Sequence, residues 1–300
     1  MRDLGPVSYL LGVEIIRDRP NHKMWLSQRK YIRDILGRFQ MTNALPVATP
    51  VDDRHPLSML DCPKTEEDRR FMSNIPYLSA VGCIMWLAMA TRPDLAYAAS
   101  LLGRFSANPG RSHWEAVKRV LRYLVGTTNL ALEYGKSSTG LSLTIYSDAG
   151  YAGDKDNARS TGGYTTFVGD NCVNWESHRQ KVVAKSTAES ELIAANEGGS
   201  DAVWSRKFFD ELGLGDKQIP RLFIDNQTTI RVGKNPEHHS KMKHILTKYF
   251  WIREAVENGR LVLEYVPTAQ NPSDILTKAL GRVKHQRFCD QLGLHDLREN

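Results

Sequence analysis

Cysteine, long apolar runs and internal repetition are what this chain has least of. Its four cysteines, Cys62, Cys83, Cys172 and Cys289, are far apart and form no C-x-x-C pair. That excludes a disulfide framework and a zinc knuckle as organising devices. No apolar run reaches transmembrane length: the longest candidate, Val81 to Ala90, stops at Thr91, Arg92 and Pro93. The opening MRDLGPVSYLLG has no charged-then-apolar signal design. There is no low-complexity segment. The expectation is an intracellular protein, cytoplasmic or nuclear, with reduced thiols and no membrane association.

What is there suits two ordinary globular domains. An apolar fraction of 41% with 25% charged residues is enough to build packed cores, so disorder is excluded. The net charge of +6 favours polyanionic partners only weakly, and its placement matters more than its size.

Period-2 and helical patterns then divide the chain. Tyr9 to Arg17 and Lys23 to Ser27 read as two strands, and Ser27 as the cap of a helix from about Gln28 to Phe39. Asn43 to Lys64 is polar and proline-rich, a linker. Its Pro50-Val51-Asp52-Asp53 reads as a polar turn, since the flanking prolines argue against strands. Helices are expected over Phe71 to Ala90, Asp94 to Phe105 and Ser112 to Val125. The last carries Lys118, Arg119 and Arg122 off its apolar face, as candidate nucleic-acid contacts. Gly126 to Gly140 looks like a joint, which sets the expected domains at 1–135 and 136–300.

The second half reads as strands Leu141 to Ala149, Gly162 to Val168 and Cys172 to Ser177, then a helix from Thr187 to Leu212. Strand Arg221 to Asp225 follows, with helices to about Val232 and from Ile245 to Asn258, strand Leu261 to Val266, and a last helix from Pro272. That order is mixed α/β with a five-stranded sheet.

Asp148 shares the parity of Tyr146 on the first of these strands, where a carboxylate is disfavoured and costly to bury without a cationic partner. Ser186-Thr187-Ala188-Glu189 is a capping box, which gives Glu189 a structural task. Glu191 lies about 200° further round the helix, on the face of Ala195, Gly198 and Ala202, whose small side chains permit close approach to a sheet. Asp225 and Asp274 can each be explained by helix capping alone. Together the four supply hard oxygen donors for a pair of Mg²⁺ ions, with Mn²⁺ as a substitute.

In YSDAGYAGD, RSTGGYTTFVGDNCVNWESHRQ, KSTAESELIAA, LFIDNQTTI, HHSKMKHI and LEYVPTAQNPSDILTKAL the chain resembles the ribonuclease H domain of copia-type LTR retrotransposon Pol polyproteins. MRDLGPVSYLLGVEI, YLSAVGCIMWLAMATRPDLAYAASLLGRFSANPG and HWEAVKRVLRYLVGT are similar to the segment that follows the reverse transcriptase palm there. The resemblance implies a ribonuclease H-like sheet with flanking helices, preceded by a mainly helical thumb- or connection-like region with a β-hairpin. It implies Asp148, Glu191, Asp225 and Asp274 as metal-binding catalytic acids. The implied reaction is Mg²⁺-dependent hydrolysis of the RNA strand of an RNA/DNA hybrid, leaving a 3′-hydroxyl and a 5′-phosphate. Thr161, Tyr164, Gln180, Lys243 and His244 are hybrid contacts by position, or else maintain the fold. His238, His239 and His244 lack a fourth ligand nearby for zinc.

The chain departs from the family pattern in two places. Gly150 stands where many relatives have a second Asp, and Thr268, Ala269 and Gln270 stand where cellular ribonucleases H carry a loop His. The Tyr-x-Asp-Asp palm motif is absent, so DNA synthesis is expected to need a palm region supplied as a partner. Two other readings compete: a non-catalytic nucleic-acid-binding relic, and an integrase-like transposase. The fourth acid and the lack of an HHCC segment count against the latter.

Overall fold

The computed structural model describes residues 5–215, 218–234 and 246–297, with the side chains of 246–249 left aside. The chain forms two compact units, Met1–Lys136 with Ala279–Asn300, and Ser137–Lys278.

The first unit opens with β1 (Tyr9–Leu10), β2 (Val13–Asp18) and β3 (Lys23–Ser27). The single strand expected over Tyr9 to Arg17 is thus two, because Leu11 and Gly12 take successive positive φ angles of 51° and 84°. Such a pair turns a chain back within two residues. Helix α1 (Arg29–Arg38) follows, then α2 (Glu66–Ser73) and α3 (Tyr77–Ala90). Pro76 separates the last two where one helix was expected, since proline lacks the N–H a continuing helix needs. Helices α4 (Ala96–Gly103) and α5 (Arg111–Gly126) complete an apolar core around Ile84, Leu87, Leu95 and Leu121. The supposed joint holds a further strand, β4 (Leu130–Gly135), with Leu130, Ala131 and Leu132 buried.

The second unit is a mixed five-stranded sheet with flanking helices, the arrangement the resemblance implies. Strands β5 (Leu143–Gly150), β6 (Thr161–Val168) and β7 (Asn171–Arg179) form an antiparallel meander. Helix α6 (Thr187–Glu211) then leads to β8 (Arg221–Ile224), which pairs parallel with β5. Helices α7 (Gln227–Lys234) and α8 (Leu246–Glu257) precede β9 (Val262–Tyr265), parallel to β8. The sheet order is β7-β6-β5-β8-β9, with β5 at its centre.

Helix α6 lies against this sheet on its small residues, as the pattern of Ala195, Gly198 and Ala202 predicts. A Cβ on Gly198 would stand 3.2 Å from both Ile145 Cγ2 and Tyr164 Cβ.

The segment from Pro272 is a 3-10 turn, Pro272–Leu276, where a helix was expected. Helix α9 (Arg282–Gln291) and β10 (Leu294–Asp296) come later and belong to the first unit, although the sequence reading ran the second domain to residue 300. Their buried Phe288, Leu292 and Leu294 pack there, and β10 pairs antiparallel with β4, Leu294 opposite Leu132. No single helix among the described residues is long and apolar enough to cross a membrane.

Candidate metal centre

Strand β5 carries Asp148 at the centre of the second sheet, opposite Gly163 on β6. That glycine matters, because a Cβ there would meet Leu276 Cβ at 2.7 Å and Thr277 Cγ2 at 3.1 Å. Its absence lets the Pro272–Leu276 turn lie on the sheet beside Asp148. The turn is pinned by Asn271 Nδ2 donating to Ser147 O (2.8 Å) and Ser273 Oγ donating to Tyr146 O (2.8 Å). The Thr277 hydroxyl donates to Asp148 Oδ2.

Asp225 and Asp274 each had helix capping as a dull alternative, and in both cases a neighbouring Asn holds that post, while Ser186 and Glu189 hold it at α6. At α6, Ser186 Oγ accepts from Glu189 N (3.2 Å), and Glu189 Oε2 accepts from Lys185 N (2.8 Å). At α7, Asn226 Oδ1 accepts from Thr229 N (3.1 Å). At the 3-10 turn, Asn271 Oδ1 accepts from Ser273 N (3.1 Å). The caps at α7 and at the 3-10 turn are thus made by Asn226 and Asn271, next to Asp225 and near Asp274.

Asp148, Glu191 and Asp225, from a strand, a helix and a strand end, bring one oxygen each within 4.8 Å of one another. One cation can draw all three. Glu191 Oε1 accepts from Ala149 N (3.3 Å), while its buried Oε2 has no hydrogen-bond partner among the described residues. An orphaned carboxylate oxygen between two further carboxylates is costly unless a cation completes it. The donor set, all hard oxygen, fits Mg²⁺ or Mn²⁺. Asp274 is not one of these three, but its Oδ1 is 2.7 Å from Lys278 Nζ, which also lies 3.5 Å from Asp148 Oδ2.

The electrostatics agree with the geometry. Burial first, then Asp274 and Asp225, push the Asp148 carboxyl up to about 7, against the pull of Lys278 and the Thr277 hydroxyl. Burial, with Asp148 and Asp225, lifts Glu191 well above the usual carboxylate range. Burial works against the Lys278 ammonium, but Asp148 and Asp274 outweigh it and its pKa rises.

A carboxyl whose pKa is raised on folding keeps a proton that the unfolded chain has already lost. Its contribution is complete below the unfolded value of 3.8 and disappears as pH climbs through about 7. In EDTA the melting temperature of the second unit is therefore expected to fall from pH 5 to pH 8. Mg²⁺ should restore more of it at pH 8 than at pH 5, since metal binding needs the deprotonated acids. A metal-free melting temperature that rises across this window would contradict the assignment.

The other candidate residues are placed differently. Lys118 pairs with Glu115 (2.6 Å), Arg119 with Asp52 (3.4 Å) and Thr49 Oγ1 (3.0 Å), and Arg122 Nε donates to Leu45 O (2.7 Å). Arg119 and Arg122 tie the proline-rich segment to α5, so these cations have work inside the first unit. Thr161 and Gln180 are 3% and 1% exposed, and Gln180 Nε2 donates to Ser190 O (2.9 Å). Tyr164 packs in the core under α6. Lys243 and His244, with His238 and His239, lie outside the described residues. Sequence reasoning missed Thr277 and Lys278, whose only signal was their spacing of three and four residues from Asp274.

No family model matches the chain. Over 295 residues it is 44% identical to the retrovirus-related Pol polyprotein from transposon TNT 1-94 of Nicotiana tabacum, covering 98% of this chain and 22% of that one. Over 294 residues it is 37% identical to the retrovirus-related Pol polyprotein from transposon RE1 of Arabidopsis thaliana, covering 98% and 19%. It thus spans about a fifth of the length of these relatives. Among solved structures it is similar to the N-terminal ribonuclease H domain of a Mycobacterium tuberculosis protein. The identity is 16% and the TM-score 0.34, over 50% of this chain and 98% of that one.

Proposed function

Because the chain belongs to the retrovirus-related Pol polyproteins of copia-type transposons, we propose that its second unit is a Mg²⁺-dependent ribonuclease H acting on the RNA strand of RNA/DNA hybrids. The observation that carries this reading is the convergence of Asp148, Glu191 and Asp225 while neighbouring residues do the capping. Those three would hold the ion, and Asp274 reaches the group through the ammonium it shares with Asp148. When bound, divalent ions supply activation of the attacking water and charge stabilisation at the leaving oxygen.

The chain's own residues fix where that chemistry can occur. Asp148 is 1% exposed and held by the Thr277 hydroxyl, so its carboxylate cannot swing to solvent. Glu191 is anchored on one oxygen by Ala149 N and keeps the other for the ion. Asp225 is the most exposed member of the three. In a full-length Pol product, a polymerase palm borne by other residues would supply the hybrid.

The test is incubation of the full chain with an end-labelled RNA/DNA hybrid, in Mg²⁺ and in EDTA, beside single-stranded RNA. Cleavage of the hybrid only, and only with Mg²⁺, is expected. Equal cleavage of single-stranded RNA, or none of the hybrid, would refute the proposal.

A further inference from the structure

We propose that the first unit carries a binding surface for single-stranded nucleic acid, on the face of its sheet that holds Arg17, Met24 and Tyr134. All of its residues belong to that unit and it needs no metal ion. It therefore goes beyond the ribonuclease reading and does not depend on it.

Strand register builds the floor. Arg17 on β2 stands opposite Met24 on β3, and Met24 opposite Tyr134 on β4. Side chains two apart on a strand share a face, so Arg19 follows Arg17, and Lys136 follows Tyr134, just past the ends of β2 and β4. These side chains, with His22 of the turn, line one cavity of about 590 Å³ that is shallow and open to solvent. Met24 and Tyr134 are half-buried at its base, and the three cations are exposed around them.

The acids nearby are engaged elsewhere. Glu133 projects to the other face of the sheet, where it takes Lys23 Nζ (2.8 Å) and Trp25 Nε1 (2.8 Å). Asp18 accepts from Asn21 N (3.2 Å) and Asn21 Nδ2 (2.7 Å). The side chains of Arg17, Arg19 and Lys136 have no hydrogen-bond or ion-pair partner among the described residues. On α5, by contrast, Lys118, Arg119 and Arg122 all have partners within the unit.

A chain of spaced anions carrying flat apolar groups fits such a surface. Phosphates suit the guanidinium forks of Arg17 and Arg19 and the Lys136 ammonium. A base laid on Met24 and Tyr134 adds stacking that is indifferent to sequence. A duplex keeps its base faces stacked on one another and offers this surface phosphates only. A polyacidic peptide brings carboxylates but no ring for Tyr134.

The test is fluorescence anisotropy of labelled single-stranded DNA with the full chain in EDTA, over a range of salt. Arg17→Ala, Arg19→Ala and Lys136→Ala together should weaken binding at least about tenfold at low salt and make the salt slope shallower by about two, as three lost phosphate contacts require. Tyr134→Leu should weaken it at least about fivefold, and Tyr134→Phe should bind as the parent does. A duplex of the same sequence should bind more weakly and be indifferent to Tyr134→Leu.

No binding by the parent, or parent-like binding by the triple variant, overturns the proposal. A duplex as sensitive to Tyr134→Leu as the single strand, or polyglutamate that competes as well as unlabelled strand, is equally fatal. Should Tyr134→Leu melt well below the parent, Tyr134→Met takes its place. Failure of hybrid cleavage would leave every one of these readings unchanged.

Discussion

Asp148→Asn is expected to lower hybrid cleavage by at least about a thousandfold, the several kcal/mol that a metal contributes to such a transition state, while leaving the chain folded. Asn keeps the shape of Asp and can still accept the Thr277 hydroxyl, so the 1%-exposed position stays filled. What it loses is the charge that Asp148 brings to the trio and to Lys278. Glu191 and Asp225 then face one carboxylate fewer, and Lys278 keeps Asp274 at 2.7 Å. Removing a buried acid that burial already forces towards its neutral form relieves strain in the metal-free state. The variant should therefore melt at or above the parent temperature in EDTA, lose the rise that Mg²⁺ gives the parent, and show a smaller fall between pH 5 and pH 8, the part left being that of buried Glu191. Single-turnover cleavage, melting in EDTA and melting in Mg²⁺ together decide the matter. Cleavage within tenfold of the parent would remove Asp148 from the chemistry, and a much lower melting temperature would trace the loss to unfolding.

The second unit was largely legible because its signals are local. Alternation of Leu141, Leu143 and Ile145 with Ser142, Thr144 and Tyr146 marks a strand wherever it folds, and the Ser186 cap sets the phase of α6 so that Glu191 points inward, where it is 6% exposed. Asp225 and Asp274 were ambiguous for a physical reason. An acid at an element boundary can cap or can ligate, and only the neighbouring Asn226 and Asn271, taking the backbone N–H groups themselves, decide between the two. The strand β4 was not legible, since its partners are β3 on one side and, about 160 residues later, β10 on the other. Six residues next to Thr127, Thr128 and Asn129 do not announce a strand by themselves. The same long-range pairing draws α9 and β10 away from the unit that precedes them in sequence. Lys278 escaped because a lysine in a surface turn carries no mark of the buried acids beneath it.

In the first unit, the largest effect is expected from a pair that the sequence presented merely as a helix break. Arg92 and Asp94 are both fully buried, with Arg92 Nε and Nη2 donating to Asp94 at 2.9 and 2.7 Å. Arg92 Nη1 also donates to Thr127 O (3.1 Å), and the Tyr123 hydroxyl donates to Asp94 Oδ2 (2.7 Å). Burial opposes both charges, yet their mutual attraction and hydrogen bonds hold the Asp94 carboxyl below its usual range and raise the Arg92 guanidinium. Removing one partner strands the other's charge in the core, a change that costs about 3–5 kcal/mol. Arg92→Met and Asp94→Asn should each cost about that much in urea unfolding of the full chain, followed by circular dichroism. A double substitution, Arg92→Met with Asp94→Leu, removes both charges and should cost well below the sum of the singles, because no ion is left without its partner. The Tyr123 hydroxyl loses its acceptor in that double variant, which keeps some cost in place. Single substitutions costing under about 1 kcal/mol, or a double cost equal to their sum, would show that the pair behaves as though exposed to water, against its complete burial.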